Sequence, residues 1–210
     1  MTSKPPVPLV STLRRLMRQR AAEFCELCGA KLPETHVHVA DAHTRRLLCA
    51  CGSCAAGDDR PARARYRPVP TRFVHVPSMT ISDEQWDALA IPVDLAFFFF
   101  DTHLGRIVCF YPGPAGATES RLPLDAWSML EQANPWIQTI ARDVEALLVR
   151  RRGGEYSCFI VPVDVCYELV GRIRSHWTGL SGGERVRNEV DGLFASILQK
   201  SGAPLPGGRP

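Results

Sequence analysis

Val93-Asp94-Leu95-Ala96-Phe97-Phe98-Phe99-Phe100-Asp101-Thr102-His103-Leu104-Gly105-Arg106-Ile107-Val108-Cys109-Phe110-Tyr111 decides the fold. Two apolar runs, Val93 to Phe100 and Arg106 to Tyr111, flank a short polar connection that carries a glycine near its end. That is the pattern of a β-hairpin. The run Leu95 to Phe100 is far too short to cross a membrane and has the length of a buried strand. Outward from this hairpin, Thr71 to Val76 reads as a strand, and Ser82-Asp83-Glu84-Gln85 starts a short helix. Ser82 can cap that helix, with the acids at the favourable end of its dipole. Leu122 to Gln132 is predicted to be a helix. Asn134-Pro135 opens another, since proline is tolerated in a first helical turn, and it breaks before a further helical stretch from Asp143 to Arg151. Gly153-Gly154 turns the chain into a strand, Tyr156 to Val161. Pro162 opens a helix to about His176, and Gly182-Gly183 separates it from a last helix, Glu184 to Gln199. Strands with helices between them predict an α+β domain over residues 71–200, an antiparallel strand hairpin with packed helices. The last two helices should pack as a pair on one face of the sheet.

Upstream lies the second informative pattern, Cys25-Glu26-Leu27-Cys28-Gly29 and then Cys49-Ala50-Cys51-Gly52-Ser53-Cys54. Two Cys-x-x-Cys pairs at this separation are the signature of a tetrahedral thiolate metal site. Each pair places two sulfurs on one side of a tight loop, and Gly29 can take the positive φ that such a knuckle needs. The ligands are read as Cys25, Cys28, Cys51 and Cys54. Cys49 is surplus: an alternative ligand, a redox-sensitive neighbour or a half-buried spare. Four thiolates leave zinc no open position, so the site reads as structural. Zn2+ is the expected metal, with iron as the alternative, since thiolate cages suit it too. Nothing in the chain looks secreted, so a disulfide pairing is disfavoured.

Between the pairs, Thr35 to Ala40 alternates polar and apolar, and Arg45 to Cys49 reads as its partner strand across a turn at Asp41 to Thr44. Knuckle, hairpin and knuckle give a small four-cysteine zinc-ribbon or treble-clef-like module over residues 23–57. His36, His38 and His43 lie near the cage, so a mixed Cys/His ligand set stays open.

The net charge of +3 hides an asymmetry. Residues 1–72 hold 13 Lys/Arg and 6 Asp/Glu, against 12 and 16 in residues 73–210, so the basic charge belongs to the metal-module half. Residues 1–22 read as a flexible tail running into a basic amphipathic helix, with Leu9, Leu13, Leu16 and Met17 as its stripe. Residues 58–70 read as an Arg/Pro-rich linker, and 201–210 as a disordered tail. The linker arginines Arg60, Arg63, Arg65 and Arg67 would suit phosphate contacts, but aromatic interleaving is sparse and a solvated linker is the plainer reading. With no membrane-length run and no secretory signal, the expected location is the cytoplasm.

Chemistry in the larger domain is thin. Tyr111 to Ser120 reads as a small-residue loop whose amides could cradle an anion, with Glu119 and Ser120 as cap residues, yet it lacks the lysine of a P-loop. Asp164, Glu168 and Arg172 share one helix face, and a Glu168–Arg172 ion pair is favoured over acid–base work. Cys109 and Cys158 read as core thiols, and the four tryptophans as core residues. No nucleophile–base pairing is visible, which leans against an enzyme.

Several strings carry a resemblance. They are Arg45-Arg46-Leu47-Leu48-Cys49-Ala50-Cys51, Ala64-Arg65-Tyr66-Arg67-Pro68-Val69-Pro70, Ile91-Pro92-Val93, Tyr111-Pro112-Gly113-Pro114-Ala115-Gly116-Ala117-Thr118-Glu119-Ser120, Asn134-Pro135, Asp143-Val144-Glu145-Ala146-Leu147-Leu148 and Cys166-Tyr167-Glu168-Leu169-Val170-Gly171. From about Cys25 to Gln199 the chain resembles an uncharacterised actinobacterial family encoded beside nickel–iron uptake hydrogenases and their maturation factors. The resemblance implies a context of hydrogenase assembly, maturation or electron transfer, and no catalytic residue. The expectation is a zinc-binding accessory protein that acts through a protein partner, a hydrogenase subunit or maturation factor. The alternatives are a rubredoxin-like iron electron-transfer protein and a nucleic-acid-binding zinc protein.

Overall fold

A computed structural model describes residues 23–57, 64–179 and 182–202. The basic amphipathic helix read in residues 1–22, Arg60, Arg63 and most of the C-terminal tail lie outside the described residues. The chain is mixed α+β, with two antiparallel sheets and five helices among the described residues.

The first sheet grows from the predicted hairpin of the cysteine module. Strand β1 (Val37–Asp41) pairs with β2 (Leu47–Ala50), with His38 opposite Cys49 and Val39 opposite Leu48. One face of the pair buries Val39, Leu48 and Ala50 with Cys25, Leu32 and Ala55. Asp41 shapes the turn, since its Oδ1 accepts from the His43 and Thr44 amides. A short helix, α1 (Gly52–Ala56), follows β2. The third strand, β3 (Tyr66–Pro68), pairs with the free side of β1. It falls where an Arg/Pro-rich linker was expected. Three residues are too few to show a period, and Pro68 is tolerated because β3 is an edge strand.

The second sheet comprises β4 (Val74–His75), β5 (Leu95–Asp101), β6 (Arg106–Gly113), β7 (Gly116–Glu119), β8 (Glu145–Arg152) and β9 (Glu155–Pro162). Their order is β4-β9-β8-β5-β6-β7. The Phe-rich hairpin forms as predicted, with Phe97 opposite Phe110 and Asp101 opposite Arg106. Helix α2 (Asp83–Ala88) starts as the sequence suggests: Ser82 Oγ accepts from the Gln85 amide, and Gln85 Oε1 accepts from the Ser82 amide. Helix α3 (Leu124–Ala133) leads into a 3-10 turn, Pro135–Thr139. Helices α4 (Val163–His176) and α5 (Gly183–Lys200) end the fold.

Two local expectations are corrected. Asp143 to Arg151, predicted as helix, is strand β8 at the middle of the sheet, between β5 and β9. Its Ala146, Leu147, Leu148 and Val149 are fully buried. Burial on both faces outweighs the helical preference of Glu, Ala and Leu. Tyr111 to Ser120, predicted as an irregular small-residue loop ending in a helix cap, is the β6–β7 hairpin, with Gly113 paired to Gly116. Its amides serve a ladder, and Glu119 holds arginines instead of capping α3.

Alternation along the strands explains the four successive phenylalanines. Phe97 and Phe99 join Phe110, Leu148 and Phe159 under α4 and α5, with Leu169, Ile173, Phe194 and Ile197 above them. Phe98 faces the other way, with Leu147 and Ile160, against Trp86 of α2, Leu89 just after it, and Trp127 and Leu130 of α3. The sheet is therefore covered on both sides. The last two helices pack on one face, as expected.

Ion pairs bind the small sheet and its exit to the large domain. Arg45, at the β1–β2 turn with φ 59°, reaches Asp101 and Glu119. Arg67 of β3 meets Asp143 at 2.8 Å, and Arg72 makes a two-point contact with Glu145 at 2.8 and 2.7 Å. His38 of β1 meets Asp164 of α4 at 2.8 Å. Asp101, Asp143 and Glu145 are all buried, so each carboxylate needs its cation. Leu47 and Val69 add apolar contact to the α4–α5 core.

Candidate metal centre

Two local structures build the sulfur cluster. In the first knuckle a Phe24–Lys31 bridge closes the loop, the Cys25 amide donates to Ala30 O and the Gly29 amide to Cys25 O. Gly29 has φ 75°, the conformation its sequence position suggested. In the second, Cys51 is the N-cap of α1, and its Sγ accepts from the Cys54 amide at 3.4 Å. Glu26 fastens the knuckle to the end of β2: its amide donates to Cys49 O, and its carboxylate accepts from the Cys49 amide at 2.7 Å.

These elements bring Cys25, Cys28, Cys51 and Cys54 together, with all four sulfurs within 4.8 Å of one another. The Cys28 and Cys51 sulfurs are 3.8 Å apart. A tetrahedron of thiolates about 2.3 Å from zinc has edges of about 3.8 Å, so the spacing fits such an ion. All eight cysteines are free of disulfides. Burial pushes the Cys25 thiol up, but amide donors from Cys51, Leu27 and Cys28 outweigh it and hold the thiol at about 6. The neighbouring sulfurs of Cys28 and Cys51 push Cys54 up to about 12. The Ala30 amide pulls Cys28 down, yet adjacent sulfurs leave it raised overall. Four crowded thiols that compete for protons are a donor set that a divalent cation satisfies, and a metal ion can be held here.

Cys49 is not in that group. It lies opposite His38 in the β1–β2 register, so its side chain falls on the histidine face, and His36, His38 and Cys49 form a second cluster within 4.8 Å. The sequence placed these histidines near the cage but missed their partnership with Cys49. The hairpin register was the signal. His43 instead stacks on His103, with ring centroids 5.2 Å apart.

Elsewhere, Arg172 pairs with Glu168 at 2.6 Å as expected, whereas Asp164 turns to His38. Cys109, Cys158 and Cys166 are buried in the large domain. Arg65 and Arg67, read as solvated or phosphate-contacting, are instead engaged by Asp41 and Asp143. Among the described residues no helix is long and apolar enough to cross a membrane.

The arrangement defines a class: an α+β protein with a four-cysteine cluster on a small sheet ahead of the main domain. A family model described as "Family of unknown function (DUF5947)" matches residues 24–201, and the chain belongs to that family. Among curated proteins and solved structures, none matches the chain.

Proposed function

We propose that this is a zinc-binding accessory protein that acts by contact with a protein partner. Cys25, Cys28, Cys51 and Cys54 are its metal ligands, and the observation that carries the reading is their cluster, with Cys28 and Cys51 at tetrahedral spacing. A site closed by four thiolates shapes a surface and leaves no position for substrate. The ion's part is to lock a sheet whose own core is small. A partner surface is offered by α3, where Leu124 and Met129 are exposed beside a groove lined by Phe100, Arg106, Trp127 and Arg142. The resemblance of the chain supports a nickel–iron hydrogenase subunit or maturation factor as that partner, and the cytoplasm as its location.

Two measurements test the reading. Elemental analysis with an absorption spectrum, on protein purified without oxygen, should return zinc and no visible bands. Iron with charge-transfer bands would overturn zinc and make the chain a rubredoxin-like electron carrier. Affinity capture from the native host should return a hydrogenase-cluster product, and loss of that product on Met129→Glu would place the contact on α3. Capture without any such product overturns the partner. Nucleic-acid binding is disfavoured, because Arg45, Arg65, Arg67 and Arg72 are already held by carboxylates.

A further inference from the structure

His36, His38 and Cys49 each offer one donor atom, and the three atoms lie within 4.8 Å of one another. The register produces this grouping. His38 is directly opposite Cys49, and the ring of His36, just ahead of β1, lies edge-on to the His38 ring with centroids 5.2 Å apart.

Hydrogen bonds settle which nitrogens are free. His36 Nδ1 lies 3.1 Å from the Pro33 carbonyl, which only accepts, so Nδ1 carries the proton. Nε2 of the neutral ring then presents a lone pair. The His36 side chain is only 8 % exposed, and its Nε2 is buried with no hydrogen-bond partner. Such an orphaned acceptor calls for an explanation. His38 repeats the arrangement: its Nδ1 lies 2.8 Å from the Asp164 carboxylate, and in the neutral ring its Nε2 is then free. A histidine whose other nitrogen donates to a carbonyl or carboxylate is the usual outer-shell geometry of a metal ligand. Asp164 Oδ1 is also buried and unpartnered. The plainer account, an ion pair that ties β1 to α4, needs only His38 and Asp164. It leaves His36 Nε2 and Cys49 unexplained.

From this geometry we infer that His36, His38 and Cys49 form a second metal site, separate from the four-cysteine cluster. Two imidazoles and one thiolate suit a borderline-soft divalent ion of the first transition row, with zinc as its representative. Three protein ligands leave a fourth position for water or an incoming ligand. The first site closes a fold, whereas this one keeps exchangeable chemistry where β1 meets α4. Asp164 is its positioning residue.

The test uses the full chain, stripped of metal and titrated anaerobically with Co2+ and with Zn2+. Wild type should bind two ions per chain. His36→Ala and Cys49→Ser should each bind one, with the thiolate-rich Co2+ spectrum of the four-cysteine site retained. Asp164→Asn should keep both sites and weaken the second about 10–100-fold. Retention of the first-site spectrum shows in the same sample that each variant is folded. One ion in wild type at saturation, or two ions in both His36→Ala and Cys49→Ser, overturns the second site and leaves the four-cysteine reading intact.

Discussion

Arg45 and Asp101 join the two sheets: Nε of Arg45, at the turn of the small hairpin, donates to Oδ2 of Asp101 at the end of β5. Asp101 is 1 % exposed, and its other oxygen accepts from the Leu104 amide, so the carboxylate end of the contact is buried while Arg45 stays partly exposed. Arg45 extends a second arm to Glu119 at 2.7 Å. Arg45→Met would leave a buried carboxylate without its cation, at a cost of about 3–5 kcal/mol. Urea unfolding reads that loss, and Arg45→Met/Asp101→Asn should recover much of it. A loss below about 1 kcal/mol would show that the two sheets hold together without this pair.

Metal removal should act unevenly. The small sheet's core is little more than Cys25, Leu32, Val39, Leu48, Ala50 and Ala55, whereas the large sheet is covered on both faces. A core that small rarely holds by itself. In chelator, amide hydrogen exchange should accelerate along β1 and β2 and stay slow along β8 and β9. Equal protection with and without metal would assign the stability of the small sheet to its ion pairs alone.

Much of the architecture was legible because local signals agreed. Ser82 and Gln85 announced the start of α2, and the paired apolar runs around Asp101–Gly105 announced the central hairpin. Strand β8 was hidden because Glu145, Ala146, Leu147 and Leu148 favour helix in isolation. What overrides them is the company of β5 and β9 on either side, which no local window contains. One local clue did exist. Gly153-Gly154 is a two-residue hairpin turn, and such a turn demands a strand on each side. At the candidate site the cysteine spacing was sufficient for the four-sulfur group. The grouping of His36, His38 and Cys49 depends on hairpin register, and the arginine–carboxylate pairs depend on contacts between the sheets.

That glycine turn can be tested directly. Arg152 pairs with Glu155, and Gly153 and Gly154 have φ of 60° and 84°. An alanine in this left-handed region costs about 1–2 kcal/mol. Gly153→Ala should destabilise by that amount, and Gly153→Asn by less, since asparagine tolerates the conformation. Equal thermal stability of both variants and wild type would mean that the turn relaxes at no cost.

The cysteines divide by reactivity. Burial alone pushes Cys158 up to about 12 and raises Cys109 and Cys166 as well, although Glu119 and Asp164 add to the rise at the latter two. In the metal-free protein at alkaline pH, where its raised thiol ionises, iodoacetamide should label the exposed Cys28 and leave these three intact until denaturant is added. Peptide mass spectrometry would count the sites, and modification of Cys158 without unfolding would mean that the β8–β9 region opens readily.

Acid should weaken the small sheet through Asp41. The Arg65 guanidinium leads in holding its carboxyl well below the usual carboxylate range, and the amides of His43 and Thr44 help it against the penalty of burial. Because the folded pKa is depressed, Asp41 binds protons more readily in the unfolded chain. Its stabilisation is therefore complete above about pH 4 and is lost as pH falls through the folded value. Asp41→Asn should cost about 1–3 kcal/mol at pH 7, where the His43 and Thr44 amides and Arg65 lose a charged acceptor. The gap between wild type and variant should narrow steadily below pH 4, even as metal loss lowers both. Urea midpoints at pH 7, 5 and 3 measure that gap. A gap that stays constant down to pH 3 would assign the role of Asp41 to turn geometry and not to its charge.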